Sequence, residues 1–412
     1  MRVPDLARFP VDQLLAMRAA AERQLHANVW RLECYPDAVL CCGQEYPGIW
    51  LEHNQDNLFY LAWDPQVARA GHEIFIRHQN AEGLIPPYLR KAAHPPMVGD
   101  GHVQSVLPFA RTALEVARAC GDEAFLERAY RAAVAYDDWL RRYRDTRGTG
   151  LVEAFCEYDT GHDHSPRVTD GGIPHACPGL DARRMPDCAA LPIVSADLSA
   201  MLYGARAALG EMAEALGRGE ESRRWRERAQ ATRKRIHELL WDEADEFFYD
   251  LAPDGSFRRY RSEHITRLFL NRVVDQRLFD RIWARHFTDP RGFATEYPIP
   301  SLAPSDPRAD RDGRENSWGG QSQALTTLRA ALWMEDYGRS ADLERLLAIW
   351  LEAIIDNGCA YTQELEPNTG RFSRCAAGYT PTLLIAILAI DRLVTRSGTL
   401  AGTIPGSRLG IP

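Results

Sequence analysis

Glu157, Asp159, His162, Asp163 and His164 fall within eight consecutive residues, and each side chain can hold or pass a proton in water. The full stretch runs Glu157-Tyr158-Asp159-Thr160-Gly161-His162-Asp163-His164-Ser165-Pro166-Arg167. Gly161 and Pro166 mark it as a loop, because glycine accepts backbone angles closed to other residues and proline breaks a helix interior. Acids and histidines gathered on one loop suit general acid–base chemistry. With aromatic residues framing it, the loop reads as a reaction site, with the general acid among its carboxyl groups.

Such a loop needs a rigid frame, and apolar residues at helical spacing supply one on either side. Helices are predicted over Val11–Arg31, Leu58–His78, Gln104–Cys120, Asp122–Tyr143, two within Ser195–Trp241, Ile265–Leu270, Asp275–His286, Gln321–Tyr337, Leu343–Ile355 and Pro381–Val394. Tyr46–Asn57 reads as a polar, aromatic loop before the second of these, and Phe247–Leu251 as a short strand. Gly171–Pro192 and Pro298–Gly313 are long loops, the first an excursion over the cleft. About a dozen helices, few strands and no repeat predict an all-α fold, an (α/α)6 toroid with long cleft-forming loops. One domain is expected over 1–395, followed by a flexible tail over 396–412 with Gly, Thr, Ser and Pro in its composition.

The 412 residues carry a net charge of −8, with 45% hydrophobic and 26% charged residues. That is ordinary globular composition, and its acidity argues against a nucleic-acid surface. The Arg-rich segment Arg218–Arg235 alternates with Glu and Ala and reads as a solvated helix face. No apolar run approaches the roughly 20 residues that span a bilayer, and Met1–Asp5 lacks the pattern of a secretory signal. Nine cysteines without a CxxC pair support neither a disulfide framework nor a zinc ribbon; they are expected in the core of a cytoplasmic protein. The His162-x-His164 pair with Asp159 lacks the spacing of a metal site, so no metal is expected. No nucleophile elbow, phosphate loop or dinucleotide fingerprint occurs, so no cofactor is expected. The sequence carries no signal for an oligomeric state.

Several short motifs resemble those of the (α/α)6 glycoside hydrolases related to family 63, which include mannosylglycerate and glucosylglycerate hydrolases, with trehalases more distant. Trp50–Asp56 resembles their Trp-Asp loop, with Gln55 where the Trp would stand. Gln79-Asn80-Ala81-Glu82-Gly83-Leu84-Ile85-Pro86 is similar to their Gln-x-x-Gly-x-Ile-Pro turn. Thr160–Pro166 resembles the loop that carries their general acid, although the Glu-Ser that opens it there is altered here. Asn316-Ser317-Trp318-Gly319-Gly320-Gln321 resembles a Trp-x-Gly-Pro segment. Glu364–Gly370 resembles the Glu-x-Tyr-Asp-Pro-x-Thr-Gly stretch that holds their base.

The resemblance implies an inverting, exo-acting hydrolase of a small α-linked glycoside or oligosaccharide. It places Asp163 as general acid; capping the next turn is the plainer use of that residue. Counting back from Pro367, the base position holds Gln363, an amide that cannot take a proton from water. The adjacent Glu364 is therefore assigned as base, with Glu366, Glu315 and Glu296 as alternatives. Trp50, Trp318 and Tyr361 are expected to stack on sugar. Asp56, Gln79 and Arg167 are expected to hold hydroxyls or a substrate carboxylate, and His162, His164, Gln321 and Gln363 to complete the substrate contacts. An Asx turn is the alternative use of Asp56. The Gln363 departure leaves open a sugar-active epimerase, lyase or biosynthetic enzyme on the same frame, or a sugar-binding protein without turnover.

Overall fold

The structure is a computed structural model that describes residues 2–91, 99–104, 106–310 and 316–395. Thirteen α-helices are present among them: α1 (Val11–Ala27), α2 (Asn54–Tyr60), α3 (Pro65–Arg77), α4 (Phe109–Cys120), α5 (Glu123–Tyr143), α6 (Pro166–Thr169), α7 (Ala196–Ala215), α8 (Gly219–Leu240), α9 (Ile265–Leu270), α10 (Gln276–Ile282), α11 (Ala324–Ala330), α12 (Ser340–Asp356) and α13 (Thr380–Ile390). Helices α2, α4, α7, α9, α11 and α13 touch in succession, and α13 returns to α2, so the six close a ring. Helices α3, α5, α8, α12 and α1 pack against α2, α4, α7, α11 and α13 as a second ring, and α10 follows α9 in the same order. This is the (α/α)6 toroid.

Burial separates the rings. Helices α2, α9, α11 and α13 are buried at every position, as expected of helices surrounded on all sides. Helix α8 buries only Ser222, Trp225, Ala229, Thr232, Ile236 and Leu240, one stripe at helical spacing. Its outer face carries the pairs Arg223–Glu227 and Arg224–Glu220, the solvated face expected of the Arg-rich segment. In α13 the run Leu383–Ile390 is fully buried; each large aliphatic side chain there contributes about 1.5–3 kcal/mol relative to exposure. That apolar helix locks the last hairpin onto the first.

The strands are two or three residues long and tie the connecting loops together. Gly48–Trp50 pairs with Tyr88–Arg90, and Ser322–Gln323 with Glu364–Leu365. Phe257–Arg258, Asp250–Leu251, Ile193–Val194 and Glu153–Ala154 lie side by side as one four-stranded sheet. Gly48 is obligatory in the first pair, since a Cβ there would stand 2.2 Å from the Leu89 carbonyl oxygen.

Several boundaries differ from the sequence reading. The loop expected through Asn57 is a short 3-10 turn, Leu51–His53, running into α2, so Asp56 is a helical residue and not an Asx turn. Polar side chains at the start of α2 bond one another at the ring's mouth, His53 with Asp56 and Asn57 with Asn54, and this polar first turn is why the segment reads as a loop. The helix expected over 58–78 breaks at Asp64, whose carboxylate caps α3 through the amides of Gln66 and Val67 with Pro65 at the first position. Val29–Arg31 pairs as a strand with Ala38–Leu40 instead of continuing α1. All nine cysteines are free thiols, but not all are core: Cys359 is exposed and Cys34, Cys120 and Cys188 are half-buried. The expected tail over 396–412 and the alternative base Glu315 lie outside the described residues. Among the described residues no helix is long and apolar enough to cross a membrane.

Candidate active site

A cavity of about 50 Å³, open to solvent, is lined by Tyr46, Trp50, Glu52, His53, Gln104, Gly161, Asp163, Asn316, Trp318, Leu325, Gln363 and Tyr379. These residues precede or open inner-ring helices: the first four lead into α2, Gln104 into α4, Gly161 and Asp163 into α7, Asn316 and Trp318 into α11, Gln363 and Tyr379 into α13. Leu325 lies in the first turn of α11. Segments far apart in sequence thus meet at one end of the ring, where helix N-termini favour negative charge.

Asp163 is held on both sides by one turn. Its carboxylate Oδ2 accepts from Asn316 Nδ2 at 2.7 Å, and its backbone oxygen accepts from the Trp318 amide at 3.0 Å. Its Oδ1 is buried and has no hydrogen-bond partner. Burial pushes the carboxyl up to about 7, opposed by the Asn316 hydrogen bond and reinforced by the charges of Glu52 and Glu157. A carboxyl that keeps its proton to neutral pH is equipped to donate it.

Gln363 lines the same cavity, with Nε2 donating to Asn316 Oδ1 at 2.8 Å. Glu364 does not. Successive residues of an extended segment face opposite ways, and with Gln363 in the cavity wall Glu364 turns behind it, fully buried. There its Oε2 accepts from the Ser317 amide at 3.0 Å and from Gln323 Nε2 at 2.7 Å, and burial pushes it up to about 7. Its observed task is to pin the turn that carries Asn316 and Trp318, which corrects its expected place in the cleft. Glu366 closes a turn through the Thr369 amide, and Glu296 is exposed; neither lines the cavity.

The other expected contacts divide sharply. Trp50 and Trp318 are cavity walls. Asp56 lies one layer below: its Oδ2 meets His53 Nδ1 at 2.8 Å, and His53 Nε2 meets the Tyr379 hydroxyl at 3.1 Å. The acid therefore orients two groups that do line the cavity. His162 stacks behind Trp318, with ring centroids 4.9 Å apart. Its Nδ1 faces Arg167 Nη1 at 2.9 Å and its Nε2 faces Glu263 at 2.6 Å, so the network assigns the proton to Nε2. Burial, with the Arg267 charge, takes this imidazole down to about 3.

Arg167 is not available to substrate. Asp197 and Asp250 take its guanidinium at 2.7–3.0 Å, fully buried. Those bonds supply the pairing that a buried charge requires. Gln79 is a staple, donating to the carbonyls of Gly83 and Ala132 at 2.8 Å. His164 turns outward, its amide held by Glu157. Gln321 and Tyr361 are buried without reaching the cavity. The two histidines of the pair do not converge on one point. Glu157, His164 and His175 do bring ligand atoms within 4.8 Å of one another, a spacing open to an ion, with hydrogen bonds already meeting the Glu157 carboxylate.

Sequence reasoning missed Glu52, His53, Gln104, Tyr46 and Tyr379. Glu52 and His53 lay within the polar stretch before α2 and carried a usable signal, two ionisable residues one turn before Asp56. Gln104 carried none.

The family model described as the mannosylglycerate hydrolase MGH1-like glycoside hydrolase domain matches residues 56–381. A family 63 mannosylglycerate hydrolase from Thermus thermophilus, solved with Tris and D-glycerate, superposes with a TM-score of 0.72 at 18% identity, covering 90% of this chain and 99% of that one. Neutral trehalase Nth1 from Saccharomyces cerevisiae gives a TM-score of 0.66 at 14% identity, covering 94% of this chain and 82% of that one. At such identities the likeness shows the fold. No curated protein matches the chain.

Proposed function

The chain belongs to the mannosylglycerate hydrolase MGH1-like glycoside hydrolase family, and from that premise we propose an exo-acting, inverting hydrolase of a small α-linked glycoside with Asp163 as its general acid. One domain over 1–395 carries this activity. The observation behind the role of Asp163 is a cavity-wall carboxyl held to about 7, with one oxygen free of partners. Protonation of the glycosidic oxygen by such a group, as water attacks the anomeric carbon, is the step an inverting enzyme requires.

Trp50 and Trp318 in the cavity wall offer aromatic faces against which a sugar ring can stack. Beside Trp50, the Arg90 guanidinium lies 5.1 Å from the Trp50 ring centroid and 4.7 Å from that of Tyr88. It forms no ion pair among the described residues. A cation at that edge supports an aglycone bearing a carboxylate, the chemistry of the D-glycerate bound by the Thermus thermophilus enzyme. The test is release of free sugar from a panel of α-glucosides, α-mannosides and glycosylglycerates, with proton NMR of the first-formed anomer. Release of the β-anomer from an α-linked substrate supports the reading; release of the α-anomer overturns inversion, and no release from any of the panel overturns the substrate class.

A further inference from the structure

Among the described residues, Glu52 and Asp163 are the two carboxylates in the wall of the cavity, and their surroundings are opposite in kind. Glu52 has a guanidinium partner: its Oε2 accepts from Arg329 Nη2 at 2.9 Å, and its Oε1 from Gln104 Nε2 at 2.9 Å. Among the described residues the Asp163 carboxylate meets only the Asn316 amide. Two carboxyl groups in one site, one paired with a guanidinium and one left without a cation, are the arrangement that divides base from acid. The position from which the C-terminal strand would supply a base holds Gln363, and Glu364 faces away behind it.

We propose that Glu52 is the carboxylate that takes the proton from the attacking water. The inference rests on the hydrolase reading above and assigns its second catalytic residue. A water oxygen forms the bond to the anomeric carbon as the glycosidic C–O bond breaks, with that electron pair leaving on the aglycone oxygen. Asp163 gives its proton to the aglycone, Glu52 accepts one from the water, and exchange with solvent resets the pair. Each Glu52 oxygen accepts one protein hydrogen bond and keeps a lone pair for this task. The side chain is held firmly for it. Arg329 is fixed by Gln55 Oε1 at 2.5 Å and Gln104 by His102 at 3.1 Å. The carboxylate lies against the acid loop: a Cβ built on Gly161, whose φ is 65°, would make ordinary contact, at 3.4 Å, with both Glu52 Oε2 and Gln104 Nε2.

The test uses α-D-glucosyl and α-D-mannosyl fluoride, whose leaving group needs no acid, beside the matching methyl α-glycosides. Asp163→Asn should keep fluoride hydrolysis and lose methyl glycoside hydrolysis. Glu52→Gln should lose both, by about 10²–10⁴-fold, while melting near the wild-type temperature. Because removal of the partner of Arg329 can unsettle the fold, Glu52→Ala is also assayed with sodium azide, which should restore turnover of the fluoride and yield a β-glycosyl azide; a merely structural role would give no such rescue. Fluoride hydrolysis retained by Glu52→Gln, or lost in Glu364→Gln and rescued there by azide, overturns the assignment while the hydrolase reading stands. Wild type inert toward both fluorides and both methyl glycosides overturns the hydrolase reading and this proposal with it.

Discussion

The Nδ2 of Asn316 donates to Oδ2 of Asp163 at 2.7 Å, and that single bond opposes the burial that holds the acid's proton in place. Burial raises the carboxyl, and the amide donor favours its ionised form. Asn316→Ala is expected to raise Asp163 further, so the group stays protonated to higher pH. The basic limb of kcat/KM should then move to higher pH, as read from a pH–rate profile. A limb that moves to lower pH contradicts the proposed role of Asp163.

The same carboxyl should leave a mark on stability. Its value near 7 in the folded chain lies above the ordinary aspartate value, so the folded state binds more protons than the unfolded state between roughly pH 4 and pH 7. Stability attributable to this group is therefore full below about pH 4 and is lost as pH rises through about 7. Asp163→Asn, which cannot ionise, should melt higher than wild type at pH 8 and close to it at pH 4. Melting curves at the two pH values check this; an equal shift at both contradicts the linkage.

Arg167 bridges Asp197, Asp250 and His162 beneath Trp318. Arg167→Met strands the buried Asp250 and leaves Asp197 to Arg267 alone, and breaking such a pair costs about 3–5 kcal/mol. Denaturant unfolding should show a loss of that order, with Arg167→Lys recovering part of it. A loss below about 1 kcal/mol would contradict the buried network.

Gln79 bonds to two backbone carbonyls and stands away from the cavity. Gln79→Ala should lower stability by about 1–3 kcal/mol, two ordinary hydrogen bonds, and leave kcat/KM within about twofold of wild type. A large rise in KM with unchanged stability would return this residue to the substrate.

The toroid was legible because its signals are collective: amphipathic outer helices such as α8 and wholly apolar inner ones such as α13 repeat a pattern that no single residue can spoil. The site was legible only in part. Loop chemistry and motif spacing led to the Asp163 loop and to Trp318. They could not say that Arg167 and His162 face inward, because burial depends on Asp197, Asp250 and Glu263, carboxylates 30 to 101 positions away. Glu364 was misplaced for a shorter-range reason, the two-residue alternation of an extended segment that had not been read as one. Glu52 was missed because it stands in the short turn before α2, within a polar stretch that read as a loop around Asp56.

The measurement that bears most directly on the central claim compares leaving groups. Loss of a general acid should penalise a poor leaving group far more than a good one. For Asp163→Asn, kcat/KM on a methyl or glyceryl α-glycoside should fall by about 10²–10⁴-fold, while a 2,4-dinitrophenyl α-glycoside of the same sugar should lose less than about tenfold. Equal losses on the two substrates, in a variant that still binds the sugar, would contradict the assignment of Asp163 as the acid.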